Sequence, residues 1–247
     1  HAVAPIDTDP ATQSFALTSG QAALRGRFLV PSKVALAVTK GYPVEPVDGY
    51  STRPVPPEKY AHEWTLTVSP TRDAEKEDFL TAFQIRRLGP TAEPEARFDP
   101  IKTTNALGVH LRSGSESHWA LFQQRDAQGL IGGAGLETDG TATALSASTD
   151  GNPKSAFAAA ATKVRYRGRP LFSSTATADW AWITEASHEL VNLTLRQSAK
   201  VSLNLTRPAR EVVCNGQRMP VHFDSKSSAL MLDLDAGEHA LRILTAP

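Results

Sequence analysis

Apolar and polar residues alternate along this chain in many short runs, and the alternation is clearest near its end. Leu230, Leu232 and Leu234 share one parity, Asp235-Ala236-Gly237-Glu238 interrupts it, and Leu241 and Ile243 resume it. Successive side chains of a strand point to opposite faces. Each run therefore reads as a half-buried strand, and the turn residues between them predict a hairpin. Trp64, Leu66 and Val68 alternate in the same way with Glu63, Thr65 and Thr67, which places Trp64 in a core. Residues 24–30, stopped by Pro31, and 34–38, ending near Gly41, read as strands. So do 79–88, 106–111, 118–123, 163–169, 180–184, 190–195 and 201–205. Residues 153–162 contain Phe157-Ala158-Ala159-Ala160-Ala161, a run that suits a short helix or a strand edge.

Many short strands separated by turn residues predict an all-β protein, an antiparallel β-sandwich with a smaller C-terminal β unit. A boundary is expected near 170–178, where Pro170 and a Ser/Thr-rich stretch precede Trp180. That gives a main sandwich over 1–175 and a small sheet unit over 176–247. Residues 42–59 hold five prolines and read as a loop that covers a face or borders a site. Residues 129–153 are a second, glycine-rich irregular stretch.

Composition narrows the function. Lys plus Arg equals Asp plus Glu at 26 each, so the chain lacks the excess positive charge on which generic nucleic-acid binding depends. No apolar run approaches the roughly 18 residues that span a bilayer, so neither nucleic acid nor membrane is an expected partner. A single cysteine, Cys214, excludes an internal disulfide.

The motifs are sparse. Gly132-Gly133-Ala134-Gly135 is followed by turn residues rather than a helix, so it is not a phosphate loop. Ser113-Gly114-Ser115 lacks the strand-to-helix setting of a nucleophile elbow. The acids Asp73, Glu75, Glu77 and Asp78 cluster in a charged turn and define no catalytic pair. The seven histidines have no zinc-site spacing. His1, as a mature terminus, would offer an amine and an imidazole to copper, as in oxidative polysaccharide monooxygenases; a truncation point or tag remnant is the plainer reading. Arg165, Arg167 and Arg169 alternate, so on one strand they would share a face and bind the carboxylates or sulfates of an acidic glycan. A solvated outer face is the alternative. Trp180 and Trp182 share a strand face and could stack on sugar rings, although tryptophan in a sandwich more often packs in the core.

One segment carries a resemblance. It runs from Leu24-Arg25-Gly26-Arg27-Phe28-Leu29-Val30-Pro31 past Gly41 and the proline-rich loop to His62-Glu63-Trp64-Thr65-Leu66-Thr67-Val68-Ser69-Pro70, then Glu77-Asp78-Phe79-Leu80-Thr81-Ala82-Phe83. In order and spacing it resembles the β-sandwich region of the heparinase II/III-like polysaccharide lyases, which include heparin and alginate lyases. Gly237-Glu238-His239-Ala240-Leu241-Arg242-Ile243 resembles the closing strand of that family. The resemblance implies a secreted or periplasmic protein whose sandwich follows an α-helical toroid. In such enzymes a tyrosine, a histidine and an asparagine perform β-elimination on uronate-containing chains such as alginate or a glycosaminoglycan.

No toroid and no such catalytic set is present here, so the expectation is a C-terminal portion that is non-catalytic by itself. Its partners would be an acidic polysaccharide and an upstream toroid. No cofactor is required; the resemblance allows a zinc ion at His1 only with ligands from upstream. A stand-alone carbohydrate-binding module using Trp180, Trp182 and the arginines is the alternative, and a copper enzyme built on His1 a third.

Overall fold

A computed structural model describes the chain except His1, Val3, residues 42–62, Ala74, residues 91–93, Arg125, Asp126 and Pro247. The protein is all-β, built from several antiparallel sheets, with no helix among the described residues. It divides into two compact units between Phe98 and Asp99.

In the first unit, β1 (Ile6–Asp9), β2 (Ser14–Ser19), β3 (Ala22–Val30) and β6 (Leu80–Arg87) form a four-stranded sheet in that order. β4 (Val34–Lys40) and β5 (Trp64–Pro70) pair separately. The Asp9 carboxylate shapes the β1–β2 turn by accepting the Thr12 hydroxyl at 2.6 Å and the Ala11 N–H at 2.9 Å. These bonds, that of Thr12 foremost, hold its carboxyl below the usual range. Gly26 lies under the Phe15 ring, and any Cβ there would collide with it. Trp64 is only half-buried, and the buried member of its strand is Thr65, whose hydroxyl donates to the Gly41 carbonyl at 2.9 Å.

The second unit follows from β7 (Arg97–Lys102), which straddles the division. Its strands are β8 (Ala106–Ser113), β9 (Glu116–Gln123), β10 (Ile131–Gly133), β11 (Leu136–Thr138), β12 (Ala142–Ser148), β13 (Pro153–Tyr166) and β14 (Arg169–Thr184). After these come β15 (His188–Leu195), β16 (Ala199–Asn204), β17 (Ala209–Cys214), β18 (Gln217–Met219), β19 (His222–Asp224), β20 (Ala229–Leu234) and β21 (Gly237–Thr245). The alanine run is therefore strand, not helix: its inward positions Ala156, Ala158 and Ala161 are buried against the core.

Two long strands organise this unit by changing partners along their length. The first half of β13 pairs β12 and its last residues pair β11. The first half of β14 pairs β16 and its second half pairs β15. Strands that change sheets through bulges make the corners of a sandwich. Between the resulting layers lies one apolar core that includes Phe172, Trp180, Leu193, Leu203, Leu230 and Ile243. The boundary expected at 170–178 falls inside β14, which bonds strands on both sides of it. A Ser/Thr-rich stretch resembles a linker by composition, but here it is the bend of a continuous strand.

The bend leaves backbone donors without ladder partners, and two aspartates take them. Ala160 adopts a positive φ of 52°, and its N–H donates to Asp179 Oδ1 at 2.7 Å. The Asp139 carboxylate accepts the N–H groups of Thr162 and Lys163, both at 2.9 Å, and the Thr162 hydroxyl. Burial pushes the Asp139 carboxyl up, but these bonds together outweigh it and hold the group below its ordinary value. The Asp139→Ala variant is expected to lose roughly 1–2 kcal/mol, because two backbone donors at the bend and the Thr162 hydroxyl, the Thr162 groups partly buried, lose their acceptor. A folded value below the unfolded one means that the stabilisation is complete above the unfolded carboxyl value of about 4 and fades as pH falls through the lowered one. Urea denaturation of both proteins across that acid range checks both statements; equal midpoints at neutral pH would refute the first.

The hairpin expected at 230–243 does not form. Leu230, Leu232, Leu234, Leu241 and Ile243 are all buried, as their parity requires. However, β20 bonds β16 and β19, whereas β21 bonds β15 and β17. The short link at Asp235-Ala236 carries the chain from one layer to the other, so the two strands face each other across the core instead of pairing edge to edge.

Candidate functional site

A groove of about 1010 Å³ opens in the second unit, where the β13–β14 hairpin meets the turn before β13 and the layer of β16 and β20. Tyr166, Arg167, Arg169, Asp150, Asn152 and Trp182 line it, with Ser202, Asn204 and Thr206 opposite. The site is built on a two-residue turn. Tyr166 pairs with Arg169, and Arg167 and Gly168 between them take φ of 51° and 77°. Two consecutive positive φ values are the signature of a type I′ turn, whose twist matches that of the flanking strands.

The Arg167 side chain is held in place. Its backbone N–H donates to the Gly135 carbonyl at 2.7 Å. Its guanidinium lies 5.2 Å from the centre of the Tyr166 ring, within cation–π range. The same guanidinium rests against Gly151, a position with φ of 90° where a Cβ would overlap it. The neighbouring Asp150 forms no ion pair with it: that carboxylate accepts the Ser148 hydroxyl, and the Asn152 side-chain amide at 2.7 Å. These bonds, that of Ser148 first, hold the Asp150 carboxyl low. Neither Arg167 nor Arg169 takes part in an ion pair among the described residues.

The expected row of three arginines is thus not a row. β13 ends at Tyr166, so Arg167 sits in the turn and Arg169 on the next strand. Both still reach the groove, whereas Arg165 lies on the outward parity of β13, opposite Glu137 of β11, and does not line it. A run Arg-x-Arg-x-Arg alternates on a strand only where no turn interrupts it, and Arg167-Gly168 is that turn.

Trp180 and Trp182 take the inward parity of β14 and are 2% and 4% exposed. Trp180 stacks on Phe172 with centroids 5.1 Å apart and on Trp182 at 6.3 Å. Neither ring offers a free face on which a sugar could stack. Trp182 meets the groove at its wall, and its indole N–H donates to Glu189 Oε2 at 2.7 Å. His1 lies outside the described residues, and among those residues no cluster of three or more His, Cys, Asp and Glu comes together.

Two residues escaped the sequence reading: Tyr166, which lines the groove, and Glu189, which lies behind it and holds the lining residues Trp182 and Thr206. Tyr166 is 3% exposed, its hydroxyl has no hydrogen-bond partner among the described residues, and burial raises its pKa. Its ring meets Trp119 edge-on at 5.2 Å. Glu189 is fully buried; its other oxygen accepts the Thr206 hydroxyl at 3.0 Å and the Thr206 N–H at 3.2 Å. Burial, the largest influence, pushes its carboxyl above the usual range despite these bonds. The signal for Glu189 was present: it shares the parity of Val191, Leu193 and Leu195, so an acid stood in the inward phase of a strand.

No known protein-family model matches the chain, and no curated protein matches it either.

Proposed function

We propose that this chain is the β-sandwich C-terminal portion of a polysaccharide lyase and that, without catalysing elimination itself, it holds an acidic polysaccharide in the groove beside Arg167 and Arg169. The observation that carries the reading is the Arg167 guanidinium, fixed between Gly151 and the Tyr166 ring with no carboxylate partner among the described residues. A preset guanidinium loses little freedom on binding and matches a carboxylate or sulfate with two parallel hydrogen bonds. Arg169 supplies a second positive charge, and the hydroxyl and amide groups of Ser202, Asn204 and Asn152 suit sugar hydroxyls. The lyase part of the proposal rests on the resemblance at residues 24–83, whose strand-like words fall in order on β3, β5 and β6.

The test is electrophoresis through gels cast with alginate, heparin or a neutral glucan. The chain is expected to be retarded by an acidic polysaccharide and not by the neutral one, with no absorbance from unsaturated uronates. Equal migration in all gels would remove the binding reading; release of unsaturated uronates by the chain alone would remove its non-catalytic part.

A further inference from the structure

The first unit has its own basic hollow, of about 280 Å³, lined by Arg25, Arg27, Glu95, Ala96, Arg97 and Phe98. Its construction begins with strand parity. Arg25 and Arg27 are two residues apart on β3 and share a sheet face. Gln84 stands opposite Arg25 on β6 and clamps the chain that returns over this face: its amide donates to the Pro94 carbonyl at 3.1 Å and accepts the Ala96 N–H at 2.8 Å. The returning segment brings Arg97 to the rim and offers the Phe98 carbonyl to Arg27 Nη1 at 3.2 Å.

Among the described residues, Arg27 is the guanidinium of this hollow to which no carboxylate can be assigned, because the Glu95 carboxylate is already paired with Arg25. Arg27 forms no ion pair among the described residues, and its Nε–H is buried without a hydrogen-bond partner. A buried N–H on a charged group is costly to leave unmade. The single carbonyl contact satisfies one of the five guanidinium donors and supplies no negative charge.

We propose that this hollow binds a small oxyanion, a sulfate, phosphate or carboxylate group, with Arg27 as the principal ligand. Several N–H donors on a cationic face are the chemistry that recognises such a group, and the volume admits one anionic group rather than a length of polymer. The site lies wholly within the first unit and shares no residue with the groove at Arg167.

Thermal unfolding of the full chain at increasing sodium sulfate, with ionic strength held constant by sodium chloride, tests it. The midpoint is expected to rise and saturate with sulfate. General salting-out by sulfate also stabilises proteins but does not saturate. The Arg27→Gln variant is expected to need about tenfold more sulfate for the same response, a loss of roughly 1.4 kcal/mol of binding. A wild-type rise that never saturates would overturn the proposal, as would an Arg27→Gln titration that overlays it. Should Arg27→Gln fail to show β-sheet circular dichroism, Arg27→Lys decides, because it keeps the charge but removes the planar fork of donors: a weakened titration supports the site and an unchanged one overturns it. Competition separates the sources of the anion. A sulfated oligosaccharide that displaces sulfate makes a glycan the source of the group, and one that does not leaves a free oxyanion as the ligand. Failure of this titration leaves the polysaccharide proposal untouched, because that proposal is read from gel retardation.

Discussion

Replacing Glu189 with alanine is expected to cost roughly 2–4 kcal/mol of folding stability, visible as a lower urea midpoint. The side chain is fully buried and joins three elements, because Trp182 of β14 and Thr206 beyond β16 both donate to this glutamate of β15. Alanine would leave the Trp182 N–H, itself buried, without an acceptor and open a cavity beside the stacked indoles. The accompanying pH dependence has a defined sign. Burial raises the folded value of the Glu189 carboxyl above its unfolded one. Its favourable contribution is therefore whole below the unfolded value of about 4.3 and is lost as pH rises through the raised folded value. The stability of the wild type relative to Glu189→Gln should decline over that interval. A gap between the two proteins that stays constant with pH would show that the carboxyl is not raised.

Removing both arginines of the groove is expected to have the largest effect on binding. The Arg167→Ala, Arg169→Ala double variant should lose at least tenfold in retardation by acidic polysaccharide. Hydrogen bonds to charged groups contribute about 1.5–3 kcal/mol each, and each 1.4 kcal/mol is a factor of ten. The single Arg167→Ala change should account for more of the loss than Arg169→Ala. Arg167 is the one whose guanidinium is preset by Gly151 and the Tyr166 ring. Arg165→Ala serves as the control: it removes the same charge from the outward face of β13. If all three single variants reduce retardation equally, the interaction is with net charge and not with the groove. Added salt should weaken retention of the wild type more than that of the double variant, since screening acts on the charges that remain in play.

The groove was only partly legible in the sequence. The cluster of arginines is conspicuous in any reading, but its geometry depends on where β13 stops. That stop is a turn of two residues, one of them an arginine at positive φ, a conformation that arginine adopts rarely. Gly151 gave no hint of its role, because what it accommodates is a side chain 16 positions later in the chain. Tyr166 and Glu189 could have been found by asking which polar residues occupy the inward phase of a strand.

The sequence by itself determined the all-β class and the inward parity of the core strands of the second unit, though not that of β5, where Thr65 and not Trp64 is buried. Leu230, Leu232, Leu234, Leu241 and Ile243 are buried as their spacing demands, and Trp180 and Trp182 point inward together. Parity is local: it follows from the pleat of a strand, whatever that strand pairs with. Tertiary structure alone decided the partners. β20 and β21 resemble a hairpin yet belong to opposite layers, and β13 and β14 change neighbours at a bend held by Asp139 and Asp179. Backbone hydrogen bonds between strands are nearly blind to side-chain identity, so no short stretch of sequence names its partner. The choice falls to the global packing of the core, which also places the division at Phe98 and brings Arg167 to rest on Gly151.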